Sequence, residues 1–295
     1  MDMATPIPDI SFLKRKDEPE IEILKVGNFQ KRLDRLSPHP EKPHRVDFYI
    51  AVYITDGSGT HFIDFKPYRF ENGSIILVSK GQAHAFDLSK VRDGFLVLFT
   101  DTFLSKNLIH SDMLALHKLY NYHLHRPVMT PEETKGLGLN PLFGEWLKEY
   151  ERPDDFAREE LLRLFLNIFL LKLQRFKQAL LPSKINAAYI RTFTVFKNLI
   201  DRHFIETRNA GDYARMMQVS YKHLNSICKR ITGDTPKQFI DKCVILEMKR
   251  YLATTGFSIK ELTYELGFDE PTNFVKYFQR HTQTTPAKFK QALEE

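Results

Sequence analysis

Two stretches of this sequence, about fifty residues apart, place polar and basic side chains at the spacing with which a helix reads a nucleic acid. In the first, Tyr221, Lys222, Asn225, Ser226, Lys229 and Arg230 share one side of a helix, while Leu224, Ile227, Cys228 and Ile231 form an inward stripe. In the second, Thr272, Asn273, Lys276, Gln279 and Arg280 face outward, and Phe274, Tyr277, Phe278 and His281 repeat the stripe. Amides and lysines can pair with base edges, and longer basic side chains further along such a helix reach phosphates. Lys222, Asn225, Asn273 and Lys276 are therefore the candidate base readers, and Lys229, Arg230 and Arg280 the candidate phosphate contacts.

Helices that read DNA must be seated. Each stretch follows a predicted short helix, over 212–217 and 258–266, and a turn, Val219-Ser220 in one copy and Gly267-Phe268-Asp269 in the other. Ser220 and Asp269 are the expected caps, and Gly267 suits a tight turn between crossed helices. Short helix, turn and polar second helix make a helix-turn-helix unit, whose second helix fits the major groove, about 12 Å wide. The unit is repeated, because Lys229 to Pro236 with Phe239 matches Gln279 to Pro286 with Phe289. Thr235-Pro236 opens a linking helix that runs to about Leu252. About 17 residues at 1.5 Å each span about 25 Å, enough to hold two reading heads against successive grooves.

Charge follows the same division. Of the net +6, residues 186–295 carry 17 Lys or Arg against 12 Asp or Glu, or +5, which favours a polyanionic partner there. A chain of 295 residues has room for about two domains. The most apolar stretch, Leu161 to Leu173, is broken by Arg163, Asn167 and Lys172 and is shorter than the ~20 residues of a membrane span, so no membrane partner is expected. The N-terminus lacks the features of a secretory signal, and Cys228 and Cys243 fit no zinc spacing. A reducing cytoplasmic location and a structural role for both cysteines are the expectations.

Ahead of this region the pattern changes. From Glu20 to about Thr100, short apolar runs alternate with the turn signals Asp56-Gly57-Ser58-Gly59 and Glu71-Asn72-Gly73, which predicts a barrel or sandwich. Helical character follows from Asp101 through Tyr122, then a helix around Trp146 and a long one over about 155–180. Leu161, Leu164, Phe165, Ile168, Leu171 and Phe176 line one side of the long helix, and Leu162, Leu166, Phe169, Leu170 and Leu173 occupy others. One partner surface could not cover them all, so both internal packing and a dimer contact are expected. Leu181-Pro182-Ser183 ends the helix and divides the chain into 1–182 and 183–295. The expected class is a two-domain α+β chain, a β-barrel with helices followed by an all-α domain.

Ile259-Lys260-Glu261-Leu262, Leu266-Gly267-Phe268, Asn273-Phe274, Tyr277-Phe278 and Thr285-Pro286 with Phe289 closely resemble the signature of the AraC/XylS transcription regulators over roughly 190–293. The resemblance implies a seven-helix domain with two helix-turn-helix units that binds promoter DNA. Three positions depart from it: Gln283 stands for a usual glycine, so the second reading helix is expected to end differently, Met248 stands for a small alanine and Cys243 for a basic residue. Gly73 to Val78 followed by Gly81 to Phe86 is similar to the cupin-type sensor barrel of many members, without the usual proline before His84. This second resemblance implies a small-molecule effector, a sugar among the candidates, with His84 and Phe86 at loop positions near the effector, and a homodimer formed by the helices after Asp101. His44, Tyr53 and His61 are further effector candidates, and RNA polymerase a further partner.

Two other classes compete. A metal-dependent cupin enzyme needs closely spaced histidines with a carboxylate, whereas His44, His61 and His84 are scattered along the chain and His123-Leu124-His125 falls in a helical region. Neither a metal, a cofactor nor catalysis is expected. An architectural DNA bender usually inserts apolar wedges, and none is evident. Activation and repression stay open.

Overall fold

The computed structural model describes residues 9–13, 18–31, 42–87, 90–105, 119–120, 126–153, 156–180 and 187–293. The chain forms two compact units, one of Pro8–Pro182 and one built on Ser183–Glu295. The helical stretch expected after Asp101, with His123-Leu124-His125, and the Leu181-Pro182-Ser183 break lie largely outside the described residues.

The first unit contains β1 (Asp9–Ile10), β2 (Ile21–Lys25), α1 (Val26–Gln30), β3 (His44–Val46), β4 (Tyr49–Gly57), β5 (Gly59–Ile63), β6 (Lys66–Phe70), β7 (Ile75–Val78), β8 (Ala83–Phe86) and β9 (Val91–Phe99). They are followed by α2 (Asp101–Ser105), β10 (Val128–Met129), α3 (Pro131–Thr134), α4 (Leu139–Glu151) and α5 (Arg158–Leu180). The strands make two five-stranded sheets, ordered β1-β3-β8-β5-β6 and β10-β7-β4-β9-β2. The expected barrel is thus realised as two sheets, and no pairing among the described residues closes them into a ring. The Asp56–Gly59 turn carries the chain from one sheet to the other, since β4 and β5 pair with different neighbours.

The second sheet is buried on both faces, which is why β4 reads as a nearly continuous apolar run. Ile50, Val52 and Ile54 point between the sheets with Ile63, Phe70 and Phe86. Tyr49, Ala51 and Tyr53 point the other way, into a cluster with Phe143, Trp146, Leu166 and Phe169 of α4 and α5. Thr100 accepts a hydrogen bond from the Phe103 amide at 3.1 Å and caps α2. The arginine that interrupts the apolar stretch is satisfied, as Arg163 Nε donates to the Phe103 carbonyl at 3.1 Å. Leu162, Leu166, Phe169, Leu170 and Leu173 of α5 are buried, whereas Leu161, Leu164, Ile168 and Leu171 stay exposed.

The second unit is helical: α6 (Ala187–His203), α7 (Ala210–Met216), α8 (Tyr221–Thr232), α9 (Pro236–Thr254), α10 (Ile259–Glu265), α11 (Pro271–Thr282) and α12 (Pro286–Gln291). Thr235 and Gln238 form a reciprocal capping box at the start of α9, with proline at the first helical position. Met248 and Cys243 are buried on α9, so both unusual positions serve packing. Burial pushes the Cys228 thiol up to about 12 and the Cys243 thiol up as well, which leaves both protonated and inert near neutral pH.

Gln283 corrects one expectation. It takes φ 60° and ends α11 in the left-handed conformation, as Gly233 does after α8 at φ 79°. The glycine is missing but the helix ends the same way, and a residue with a Cβ carries the cost. Gln283→Gly is expected to stabilise the helical unit by about 0.5–1 kcal/mol, read from urea unfolding by circular dichroism.

Candidate functional site

The first helix-turn-helix unit is α7 and α8. Asn209 accepts from the Gly211 amide at 2.9 Å and Ser220 from the His223 amide at 3.1 Å, each pairing a donor that a helix start leaves open. The turn between them passes through Gln218 at φ 55°. In the second unit, Ser258 and Glu261 form a capping box on α10 and the turn passes through Gly267 at φ 69°. Helix α11 begins at Pro271 behind Glu270, with no side-chain cap. Asp269, the expected cap, stands one residue too early; a proline at the first helical position has no N–H to satisfy and fixes the start instead.

Both inward stripes form. Leu224, Ile227 and Cys228 are buried on α8, and Phe274 and Phe278 on α11. Ile231 and Tyr277 are half-buried. His281, expected to close the second stripe, lies at the surface with its ring against Tyr277 and Nε2 3.9 Å from the Asp241 carboxylate. An imidazole beside a carboxylate is better solvated at the rim than in the core. Tyr221, Lys222, Ser226, Lys229 and Arg230 of α8 are exposed, as are Thr272, Asn273, Lys276, Gln279 and Arg280 of α11, while Asn225 is half-buried. Tyr221 also borders a surface groove with Arg208, Asn209 and Lys237. All eleven predicted residues therefore lie on the two second helices.

The linking helix α9 packs against both reading helices. Asp241, buried on α9, accepts from the Tyr277 hydroxyl at 2.6 Å and from Lys237 Nζ at 2.5 Å. Sequence reasoning missed this contact and a second one made by Arg208. Neither has a local signature, because the partners are 36 and 59 residues apart.

In the first unit the histidines are not scattered. Register places His44 opposite His84 on β3 and β8, and His61 opposite Phe86 on β5 and β8. All four side chains come together on the face turned between the sheets, where His44, His61, His84 and Phe86 are 4%, 1%, 5% and 5% exposed. His61 Nε2 lies 3.1 Å from His84 Nδ1, and the His44 and His84 rings are 4.1 Å apart. His61 also packs on Phe86 with ring centroids 4.7 Å apart. Alternation along β4 sends Tyr53 to the opposite face, where it stacks on Phe95 and Phe143, so it is separated from this cluster.

The His44 Nδ1–H donates to the Lys42 carbonyl at 2.9 Å. His61 Nδ1 and His84 Nε2 are buried without a hydrogen-bond partner among the described residues. Burial holds the His61 imidazole down at about 3 and the His84 imidazole well below its usual range, with the neighbouring histidines adding to the effect. The cluster is therefore neutral. Among the described residues no group of three His, Cys, Asp or Glu is arranged to hold a metal ion. The loop before His84 is held without the usual proline: Gln82 accepts from the Ser79 amide at 2.7 Å and donates to Asp64 at 2.7 Å.

Residues 213–292 match a family model described as a helix-turn-helix domain, and residues 35–100 one described as an AraC-like ligand binding domain. The chain is 21% identical over 289 residues to the HTH-type transcriptional activator RhaS of Shigella dysenteriae serotype 1 (strain Sd197), covering 94% of this chain and 97% of that protein. RhaS of Escherichia coli O1:K1 / APEC is 20% identical over 287 residues, covering 93% and 96%. Among solved structures, unsaturated fatty acid bound wild-type ToxT from Vibrio cholerae strain SCE256 is similar with a TM-score of 0.44 and 14% identity, covering 94% and 96%. No helix among the described residues is long and apolar enough to cross a membrane. An AraC-like ligand binding domain thus precedes a helix-turn-helix domain, and the chain is a DNA-binding transcription regulator of the AraC/XylS type, homologous to RhaS.

Proposed function

We propose that the chain acts as an effector-responsive homodimer in the cytoplasm, in which residues 1–182 hold the effector and the dimer contact and residues 183–295 read a two-box promoter site. One observation carries this reading: α8 and α11 both bury their apolar stripes and turn basic and amide side chains outward. Lys222, Asn225, Asn273 and Lys276 read bases, Lys229, Arg230 and Arg280 hold phosphates, and Tyr221, Ser226, Thr272 and Gln279 complete the two contact faces. RNA polymerase is the partner through which the bound regulator changes transcription, and no catalysis or cofactor is involved. Selection from a random duplex pool should return two boxes on one face of the duplex; recovery of no motif would overturn sequence-specific regulation. Asn273→Ala should relax preference at one base pair, whereas Arg280→Ala should weaken all sequences and lower the salt slope by about one unit in anisotropy titrations.

The proposed dimer contact is the exposed stripe of α5, where Leu164 and Leu171 are 55% and 58% exposed and Ile168 43%. These residues recur at helical spacing, so they face one partner. Leu164→Asp with Ile168→Asp is expected to yield a monomer by sedimentation while changing stability by less than about 1 kcal/mol. An unchanged dimer would move the contact elsewhere.

The proposed effector site is the cluster of His44, His61, His84 and Phe86, without Tyr53. Whichever nitrogen carries the proton between His61 and His84, one N–H donor and one lone pair are left over on His61 Nδ1 and His84 Nε2. A neutral hydroxyl group offers both an acceptor and a donor, which favours a small sugar or polyol over an ion. A thermal-shift panel of neutral sugars and polyols on the full chain tests this, with organic anions as the opposing set.

A further inference from the structure

Arg208 precedes the first helix-turn-helix unit in the chain, yet its guanidinium bonds to the second. It donates to the Leu266 carbonyl and, at 3.2 Å, to the Gly267 carbonyl, both in the turn before α11. The same group lies 3.8 Å from the centre of the Phe268 ring. Phe268 packs on Phe274 and Tyr277 of α11 with centroids 5.3 and 5.4 Å away. Tyr277 in turn donates to Asp241 of α9 at 2.6 Å. Beside Arg208, the Ile205 carbonyl fits so closely over Gly267 that a Cβ there would lie 2.1 Å from it.

These contacts close a ring. The linking helix α9 sets the distance between the two units, but the chain leaves it through non-helical residues 255–258 before α10 begins. That hinge gives the second unit no rigid backbone connection to α9, so its rotation is set by side-chain contacts, those of α11 on α9 and those of Arg208 on the turn before α11. A rigid planar fork on two adjacent carbonyls, stacked on an aromatic ring, specifies it in a way that a flexible ammonium cannot.

We infer that Arg208 is a positioning residue that locks the two units into one reading head and so sets the spacing between DNA boxes that the protein accepts. The inference rests on both units reading DNA together. One inserted base pair moves the second box by about 3.4 Å and rotates it by about 35°, which a locked head cannot follow and a hinged one can.

The test uses the full chain and three duplexes: the two-box sequence selected by the wild type, the same sequence with one base pair inserted between the boxes, and the first box alone. Wild-type affinity should fall about tenfold or more on insertion. For Arg208→Ala and Arg208→Lys the same insertion should cost less than about threefold, with affinity for the single box unchanged within about twofold. Arg208→Lys keeps a cation over Phe268 and serves where the alanine variant does not fold. Insertion penalties equal to the wild type, or a uniform loss on all three duplexes, would overturn the inference and leave two-box reading intact. A selection that returns no two-box motif would overturn both, and does so before any variant is made.

Discussion

Gly267→Ala is expected to destabilise the helical unit by about 3 kcal/mol or more and to lower affinity for a two-box duplex at least about tenfold. The backbone angle is only part of the reason. Gln218 holds the corresponding turn of the first unit at φ 55° and Gln283 ends α11 at φ 60°, so among the described residues the helical domain carries side chains in the left-handed region twice. Such a residue costs about 1–2 kcal/mol. What distinguishes Gly267 is the backbone above it, since an added Cβ would meet the Ile205 carbonyl oxygen at 2.1 Å and its carbon at 3.0 Å. Backbone cannot swing aside as the end of a long side chain can. The turn must then move away from the segment at Ile205, and the carbonyls of Leu266 and Gly267 leave Arg208 with it. Gln218→Gly supplies the control: the same kind of turn without the close approach, expected to change stability by less than about 1 kcal/mol. Equal effects of the two substitutions, measured by urea unfolding followed by circular dichroism, would show that close approach at Gly267 is not the constraint.

Local chemistry made the helical unit readable. Thr235-Pro236 marks a helix start by bonds made within three residues, and the structure places α9 there; the short helix predicted over 258–266 is α10, whose start is held by the same kind of bond between Ser258 and Glu261. The apolar stripes were readable for the same reason, up to His281, where solvation of an imidazole outweighs periodicity. Asp269 looked like a cap because its type fits, but Pro271 fixes the helix start and shifts it by one residue.

The sensor side was readable in kind and not in arrangement. Glycine turns announced short strands, yet only register shows that strands bearing His44, His61 and His84 are neighbours, in the order β3-β8-β5. A histidine pair 23 residues apart has no spacing signal. Tyr53 illustrates the same limit from the other side: β4 is apolar on both faces, so its sequence does not say which face meets the second sheet and which the helices. Arg208 was unreadable because both its acceptors are backbone carbonyls, which carry no residue identity.

Acidification from pH 7 to pH 5 is expected to destabilise the sheet-bearing unit by about 4 kcal/mol. His61 is held at about 3 and His84 well below its usual range, chiefly by burial, whereas in the unfolded chain both titrate near 6.5. Below pH 6.5 the unfolded chain therefore binds protons that the folded one refuses. Stability is fully present above that value and is lost as pH falls, at up to about 1.4 kcal/mol per pH unit for each histidine. His44, lowered less, acts in the same direction. Carboxylates titrate lower, so the interval between pH 6.5 and 5 belongs mainly to imidazoles. Trp146, the one tryptophan of the chain, is fully buried in the core of the same unit, so its fluorescence during urea unfolding reports on that unit. His61→Gln should remove about half of the slope whatever it does to stability at pH 7, because a slope counts protons and not contacts. An unfolding midpoint that stays level between pH 7 and 5 would mean that the cluster is open to solvent. The same neutrality bears on the effector: a neutral hydroxyl ligand bonded to His61 Nδ1 and His84 Nε2 should raise the midpoint at pH 7 and leave the acid slope in place, whereas an anion would have to bring a proton with it and would bind more tightly as pH falls.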